Sequence, residues 1–480
     1  MPSVQPTPPP TALPTALPTG LPEGLPPRPT AATIAALRSE LSQQHPELEL
    51  LGPERGADLE RLSRDFYAYS PVLAPLFAGH TAQLVARPTS VSQVMAVASG
   101  CARHGVPLTC RGGGTGNYGQ CVPLSGGVVL DLSGLNRLRH LDPTTWVITV
   151  EAGALMGELE RQLAPNGRAL RLMPSTVRSA SIGGFIAGGS VGIGSLRWGI
   201  LRDPGNLLGL EVVTVESEPR LLQLDAASSE ALNHAYGCNG ILTALQLPST
   251  EAVDWVQLVV GFADWDQALA AAQGVARWAV ELNSLNLLEA PVARAMPWPA
   301  GCPDASGEHR LLLLAHPAAL PVLPGRLQQL GGQVLWQQPQ SQSRGIPLRE
   351  LGWNHTTLHW RSSRPDWTYL QLLLPQPEGE VLAALRQRWG ETIHWHLEGV
   401  RQQGAQRLVC LPVVQWQGQE QLEQLIAHCR ELGGFLFNPH VFTVEDGGLG
   451  VIDADQVAAK AANDPAGLLN PGKLRGWLAR

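Results

Sequence analysis

Hydrophobic positions recur every three to four residues in TAATIAALRSELSQQ and ERGADLERLSRDFYAYS, a period that predicts two short helices within residues 31–78. From about residue 79 the pattern switches to strands alternating with helices. QLVARP reads as a strand. SVSQVMAVASGCARHG reads as a helix with Val91, Val94, Met95, Ala98, Cys101 and Ala102 on one face and a stop at Gly105. VPLTCR, VVLDL, WVITVE, LGLEVVTV and ILTALQL read as further strands, with a helix at LMGELERQLA. These elements make an α+β domain over residues 79–250. A second α+β region, over residues 251–463, opens with the strand-like VDWVQLVVGF and the helix-like DWDQALAAAQGVARWAVEL and reads as a cap. Residues 464–480 mix turn formers with apolar anchors in DPAGLLNPGKLRGW, so they are expected to pack back on the first domain. Residues 1–30 contain eleven prolines and are expected to form a disordered or polyproline-like tail.

A chain of 480 residues suits two folded domains. The formal net charge is −7 and no basic run occurs, which argues against nucleic acid or an anionic membrane surface as a partner. No apolar stretch approaches the roughly 18 residues of a membrane span, and the start of the chain lacks signal-peptide features. A cytoplasmic location is the expectation. The seven cysteines show neither CxxC nor metal-ligand spacing and read as reduced thiols.

The strongest local signal is RGGGTGNYGQ, where a strand runs straight into Gly112, Gly113, Gly114, Thr115 and Gly116. Small residues let successive backbone N–H groups face one concavity, which suits a diphosphate and needs no lysine. A dinucleotide fold of the NAD type would require a helix to open directly from this loop, with an acid about 20 residues on. Asp131 stands at that distance, but Gly119, Pro123, Gly126 and Gly127 in between rule the helix out. A second cluster, PSTVRSASIGGFIAGGSVGIGSLRWG, follows about seventy residues later. Two glycine clusters without a Walker lysine point to an extended cofactor met by backbone from two directions.

In order along the chain, ARPTSVSQV, RGGGTG, GGVVLDLSGLNRL, VEAGALMGEL, PSTVRSASIGGFIAGG, LGLEVVTV, YGCNGILTAL and DPAGLLNPGK resemble the FAD-binding domain of the vanillyl-alcohol oxidase and p-cresol methylhydroxylase (PCMH) superfamily, especially its glycolate oxidase and D-lactate dehydrogenase-like branch. The resemblance implies an α+β fold: a two-subdomain, PCMH-type FAD-binding domain beneath an α+β substrate cap. It implies that Arg111 and Gly112 to Gly116 cradle the diphosphate, and that Pro174, Ser175, Ser181, Gly183 and Gly184 line the flavin and ribityl side. Gly240 and Ile241 would meet the adenosine end, with Asn470 and Lys473 returning from the C-terminal motif. Thr115 stands where covalent relatives carry histidine, and residues 173–182 contain no cysteine, so the FAD is expected to be non-covalent.

Oxidation of an alcohol or hydroxy acid needs a base, a cation for any carboxylate, and positive charge near the flavin edge. In GWNHTTLHWRSSRP a strand would align His355, Thr357, His359 and Arg361. A helix would keep His355 with His359 but turn Arg361 away; the neighbouring Thr and Trp residues favour the strand. His440, in FNPHVFTVEDGG with Asn438 and Glu445, is a further candidate base. Lys473, one of only two lysines, is the candidate for stabilising reduced flavin. There is no HExxH, and no metal is expected. The chain also lacks the glycine- and histidine-rich motif of metal-dependent hydroxy-acid relatives. The expected activity is FAD-dependent oxidation of a small organic substrate, an alcohol or 2-hydroxy acid, by hydride transfer to flavin N5 and on to an unidentified electron acceptor. The alternatives are a flavin reductase with a nicotinamide donor and a non-catalytic FAD-binding subunit.

Overall fold

A computed structural model describes residues 16–189, 191–402, 404–448 and 450–480. The fold is α+β and is built on three main sheets. Strands β1 (Glu49–Leu51), β2 (Leu84–Arg87), β3 (Leu108–Arg111) and β4 (Val128–Asp131) form the first, in the order β1-β2-β4-β3. β2, β4 and β3 run parallel, and Leu84, Val85, Val128, Val129 and Leu108 are fully buried, as a sheet covered on both faces requires. The helix Val91–His104 makes the crossover from β2 to β3. Ser90 caps it, and Gly105 ends it in the left-handed conformation that a Cβ disfavours. No helix lies between Arg111 and Val128, so the glycine loop leaves β3 as irregular backbone.

The second sheet contains β5 (Leu138–Leu141), β6 (Val147–Glu151), β7 (Arg168–Leu170), β8 (Gly209–Val213), β9 (Leu221–Asp225) and β10 (Ile241–Glu251). Its order is β5-β6-β10-β8-β9, with β7 pairing β10, and all its ladders are antiparallel. The helix Ile182–Gly188 packs against β10 and carries the second glycine cluster.

The cap is organised on an eight-stranded sheet. Its strands are β11 (Val256–Phe262), β12 (Leu282–Leu288), β13 (His309–Ala315), β14 (Gln333–Pro339), β16 (Leu372–Leu373), β18 (His396–Gln402), β19 (Ala405–Cys410) and β21 (Phe435–Leu436). The order is β14-β11-β13-β12-β18-β19-β16-β21. A three-stranded sheet of β15 (Trp367–Tyr369), β20 (Val413–Gln415) and β17 (Ile393–His394) flanks it. The helices Trp265–Arg277 and Gln419–Glu431 bury Leu269, Ala272, Leu422 and Ile426 in the core that also takes Leu285, Leu313 and Leu397 from the sheet.

Two segments differ from the sequence reading. The first fifteen residues of the expected tail lie outside the described residues, but residues 16–30 are not a free extension. Leu17 is 3% exposed and its amide donates to Glu423 Oε1 at 3.1 Å, while Leu21 and Leu25 pack beside Val122 and Leu124. Prolines forbid helix there, yet the leucines between them still gain by leaving water. The second correction is GWNHTTLHWRSSRP, whose residues Asn354–Ser362 form an α-helix in place of the expected strand. Thr356, Thr357 and Trp360 face inward at helical spacing, and Trp360 sits edge-on to Trp367 at 4.9 Å and close to His394 at 5.2 Å. Burial of that large ring overrides the β-propensity of its neighbours. No helix among the described residues is long and apolar enough to cross a membrane.

Candidate functional site

The two glycine loops meet. Gly113 N donates to Ser181 Oγ at 3.3 Å, and the same hydroxyl caps the helix Ile182–Gly188 by accepting from Gly184 N at 3.2 Å. A Cβ on Gly112 would lie 2.0 Å from Ser181 Oγ, and one on Gly113 would lie 2.0 Å from Ser179 O, so only glycine lets the loops approach this closely. Gly114 has φ +64°. Its amide and that of Thr115 donate to no protein acceptor among the described residues, which leaves them for a ligand.

This junction floors a cavity of about 680 Å³, within the ~300–1,000 Å³ usual for cofactor sites. Arg111, Gly112 to Gly116, Pro174, Ser175, Ser181, Gly183, Gly184 and Gly240 all line it. The cap supplies the opposite wall through Leu372, Leu373, Val400, Val409, Leu411 and Phe437. Arg111 is held from behind, its Nη1 donating to Leu62 O at 3.2 Å, to Arg64 O and to Cys121 Sγ at 3.3 Å.

Ile241, Asn470 and Lys473 do not line the cavity; they sit behind its wall. Asn470 is a strut. Its amide Nδ2 donates to Gln120 O at 2.8 Å and to Tyr236 O at 2.6 Å, and its backbone N donates to Leu108 O at 2.6 Å. Lys473 is fully buried, its Nζ 4.7 Å from the centre of the Phe77 ring and without a hydrogen bond. Burial pulls its pKa down to about 8, against the opposing pull of Asp65, whose own carboxyl burial pushes up to about 6. Asp65, in contrast, does line the cavity.

The expected catalytic set is not brought together at this cavity. His355, His359, Arg361 and His440 are all absent from its lining. His355 and His359 lie one turn apart on their helix, ring centres 6.2 Å from each other, and His355 Nδ1 bonds Glu350 O at 2.9 Å. Burial, with His355 beside it, pulls His359 down to about 4. Because the segment is helical, Arg361 points elsewhere: it donates to Ala68 O at 3.1 Å and covers the Tyr69 ring.

His440 is a fully buried strut between the N-terminal segment and the cap. Nε2 bonds Tyr369 O at 2.9 Å and Nδ1 meets Ser70 Oγ at 2.8 Å. A carbonyl only accepts, so Nε2 carries the proton and Nδ1 accepts from the hydroxyl; neither nitrogen is left to act as a base. Burial lowers the His440 pKa to about 4. The unfolded chain, titrating near the ordinary value of 6.5, therefore binds a proton that the native state refuses. Stability should be fully present above pH 6.5 and fall as the pH drops toward 4. Urea midpoints measured across that range should show this slope, and His440→Gln should make it shallower, with His359 contributing to what remains, while lowering stability at neutral pH.

Residues that the sequence reading did not single out complete the wall: Trp353 and Asn354 at the start of their helix, Gln371 and Gln402 on the cap, and His234, Arg202 and Tyr236 near the second loop. Tyr118 could have been found, since it lies within RGGGTGNYGQ. Its hydroxyl donates to Gln371 Oε1 at 3.0 Å across the domain junction. Trp353 Nε1 and Asn354 Oδ1 are buried without partners. His234 Nδ1 bonds Gly189 O at 2.8 Å, which leaves Nε2 as an acceptor. Among the described residues no group of three His, Cys, Asp or Glu side chains could hold a metal.

Residues 82–220 match the family model described as FAD binding domain. This segment is an FAD-binding domain. It includes both glycine loops and the strands β2 to β8, and ends just before β9. Glycolate oxidase subunit GlcD of Bacillus subtilis is 28% identical over 171 residues, 36% of this chain and 35% of that protein. A probable mitochondrial D-2-hydroxyglutarate dehydrogenase of Oryza sativa subsp. indica is 30% identical over 183 residues, 35% of this chain and 32% of that protein. The chain thus matches about a third of the length of these relatives. A solved alkyldihydroxyacetonephosphate synthase shares the fold over 94% of this chain and 87% of its own, with a TM-score of 0.70 and 15% identity. The free amides of Gly114 and Thr115, facing a cavity of this size, fit the diphosphate of FAD.

Proposed function

We propose that the protein is an FAD-dependent oxidoreductase that oxidises a small organic substrate at the junction of the FAD-binding domain and the cap. The observation that carries this reading is the meeting of the two glycine loops beneath the apolar cap wall, which gives one cavity a diphosphate cradle and a water-poor chamber. The relatives' names, an oxidase subunit and a dehydrogenase, support the reaction class. When bound, FAD supplies an acceptor for a hydride from the substrate carbon. The chain holds the cofactor through backbone amides, and the leucines, valines and Phe437 of the cap exclude water.

The substrate's hydroxyl proton needs an acceptor in the lining. Two groups can serve at neutral pH: His234 Nε2, and Asp65 Oδ2, which has no hydrogen-bond partner. Burial raises the Tyr118 pKa, so its phenol stays protonated and positions an oxygen atom without deprotonating it. Displacement of His355, His359, Arg361 and His440 from the cavity favours one second reading, a subunit that binds FAD and passes electrons to a partner.

The purified protein should be yellow, and acid precipitation should release intact FAD to the supernatant, because Thr115 offers no flavin attachment point. Flavin retained in the pellet would contradict the non-covalent assignment, and colourless protein that takes up no added FAD would contradict the function. Anaerobic bleaching by an organic substrate separates the oxidoreductase from the electron-passing subunit, which bleaches only with its partner.

A further inference from the structure

Resting on that reading, we infer that the substrate is uncharged and largely apolar, not a carboxylate. The argument is an inventory of charge around the cavity. The diphosphate cradle occupies the glycine-loop wall, so substrate must be met by what remains, chiefly the cap wall. Its apolar part is Leu372, Leu373, Val400, Val409, Leu411 and Phe437, and among the described residues the polar cap side chains beside it are neutral, such as Gln371 and Gln402, or acidic, never basic. β18 shows how this comes about. Its side chains alternate, so His396, Glu398, Val400 and Gln402 share one face, but only the last two reach the cavity. His396 and Glu398 are fully buried against each other at 2.6 Å and are covered by the backbone of Trp353, whose amide donates to Glu398 at 2.5 Å.

The lining contains just two guanidinium groups among the described residues: Arg111 stands on the glycine-loop wall, which the diphosphate takes, and Arg202 is ion-paired. Arg111 spends its Nη1 on two carbonyls and a thiol behind the glycine loop. Arg202 lies between Glu230, at 3.4 Å, and Asp453, at 3.7 Å. The remaining carboxyls of the lining, Asp65 and Glu445, would repel an anion. A carboxylate moved from water against the cap wall would lose several kcal/mol of solvation with no cation on that wall to offset it. A hydroxyl, carbonyl or amide loses far less and finds partners. Asn354 Oδ1 and Trp353 Nε1 are buried, unpaired and on the cavity wall, one an acceptor and the other a donor. The Tyr118–Gln371 pair offers a further donor and acceptor at the domain junction.

The test compares isosteres that differ in charge alone. Full-length FAD-loaded protein is titrated anaerobically with lactamide against lactate and with mandelamide against mandelate, and the shift of the flavin absorption band is followed. The amide of each pair should perturb or bleach the flavin at a concentration at least tenfold below that of its acid, with mandelamide ahead of lactamide because its ring covers more of the apolar wall. Val400→Arg, or Gln402→Arg should the first fail to fold, places a cation on the cap wall and should reverse the order within each pair. Equal or tighter binding of the acids by the wild-type protein would overturn the inference, and so would silence from both members of both pairs. The inference is read from the order of amide and acid on protein that holds FAD, whereas failure of the proposed function shows as protein that holds no FAD or as FAD-loaded protein that no organic substrate, charged or neutral, bleaches.

Discussion

Gly114→Val is expected to be soluble and to purify with less than about a tenth of the wild-type FAD content. Two separate penalties act at this residue. Its φ of +64° is one that a β-branched side chain avoids, at a cost of roughly 1–2 kcal/mol. Its Cβ would also stand 2.0 Å from Arg111 Nη2 and 2.3 Å from Arg111 Cζ. Arg111 cannot swing aside freely, because Leu62 O and Arg64 O hold the guanidinium. The loop must therefore move, and the amides of Gly114 and Thr115 move with it. At about 1.4 kcal/mol per tenfold, the backbone term alone reaches the predicted loss. β2, β3 and β4 lie behind the loop, so far-ultraviolet dichroism should be unchanged. Wild-type flavin content in a soluble variant would show that the loop shapes the exit from β3 and does not hold the cofactor.

Asn470→Ala should lower unfolding stability by about 3 kcal/mol and reduce FAD retention as well. The amide of Asn470 satisfies two carbonyls from different loops, Gln120 and Tyr236, and its removal leaves both without that donor, at ~1 kcal/mol or more each. Asn470 also sits at φ +42°, where asparagine is tolerated better than alanine. Asn470→Gly divides the effect: it relieves the backbone while still stripping the carbonyls, and should recover about 1 kcal/mol. Urea melts of the three proteins, saturated with FAD and stripped of it, measure both contributions. A loss below about 1 kcal/mol in the alanine variant would mean that water replaces the side chain and that the strut is dispensable.

The glycine-loop wall of the cavity was legible in the sequence because its shape depends on backbone. Where chain must approach chain or phosphate within a Cβ's reach, glycine is the solution, and so RGGGTG and SIGGFIAGG announce themselves. The substrate side was not. His355, His359 and Arg361 were placed by a choice between periods of 2 and 3.6 over nine residues, a window in which Thr and Trp weigh toward strand. Burial of Trp360 against Trp367 and His394, from β15 and β17, decided the matter, and no local pattern reports a tertiary contact of that kind. His440 and Lys473 were singled out as reactive groups near the terminal motif. Their neighbours, Ser70, Tyr369, Phe77 and Asp65, come from distant parts of the chain and turn the first into a strut and the second into a sequestered charge. Val400 and Gln402 carried no signal at all, since a valine on a strand looks the same whether it faces a core or a ligand.

The clamp that Asn470 makes across the glycine loop joins residues 350 positions apart. A ribosome adding about 5–20 residues per second needs roughly 20–70 s to travel that distance. Leu108 and Gln120 wait through that whole interval, and Tyr236 through the last 234 residues of it, for the partner that fixes them, so the cradle is expected to stay loose while the cap is still being made. Flavin capture is therefore expected to wait for the Asn470 segment, and a nascent chain stalled before residue 470 should bind FAD poorly even with every cradle residue already in place.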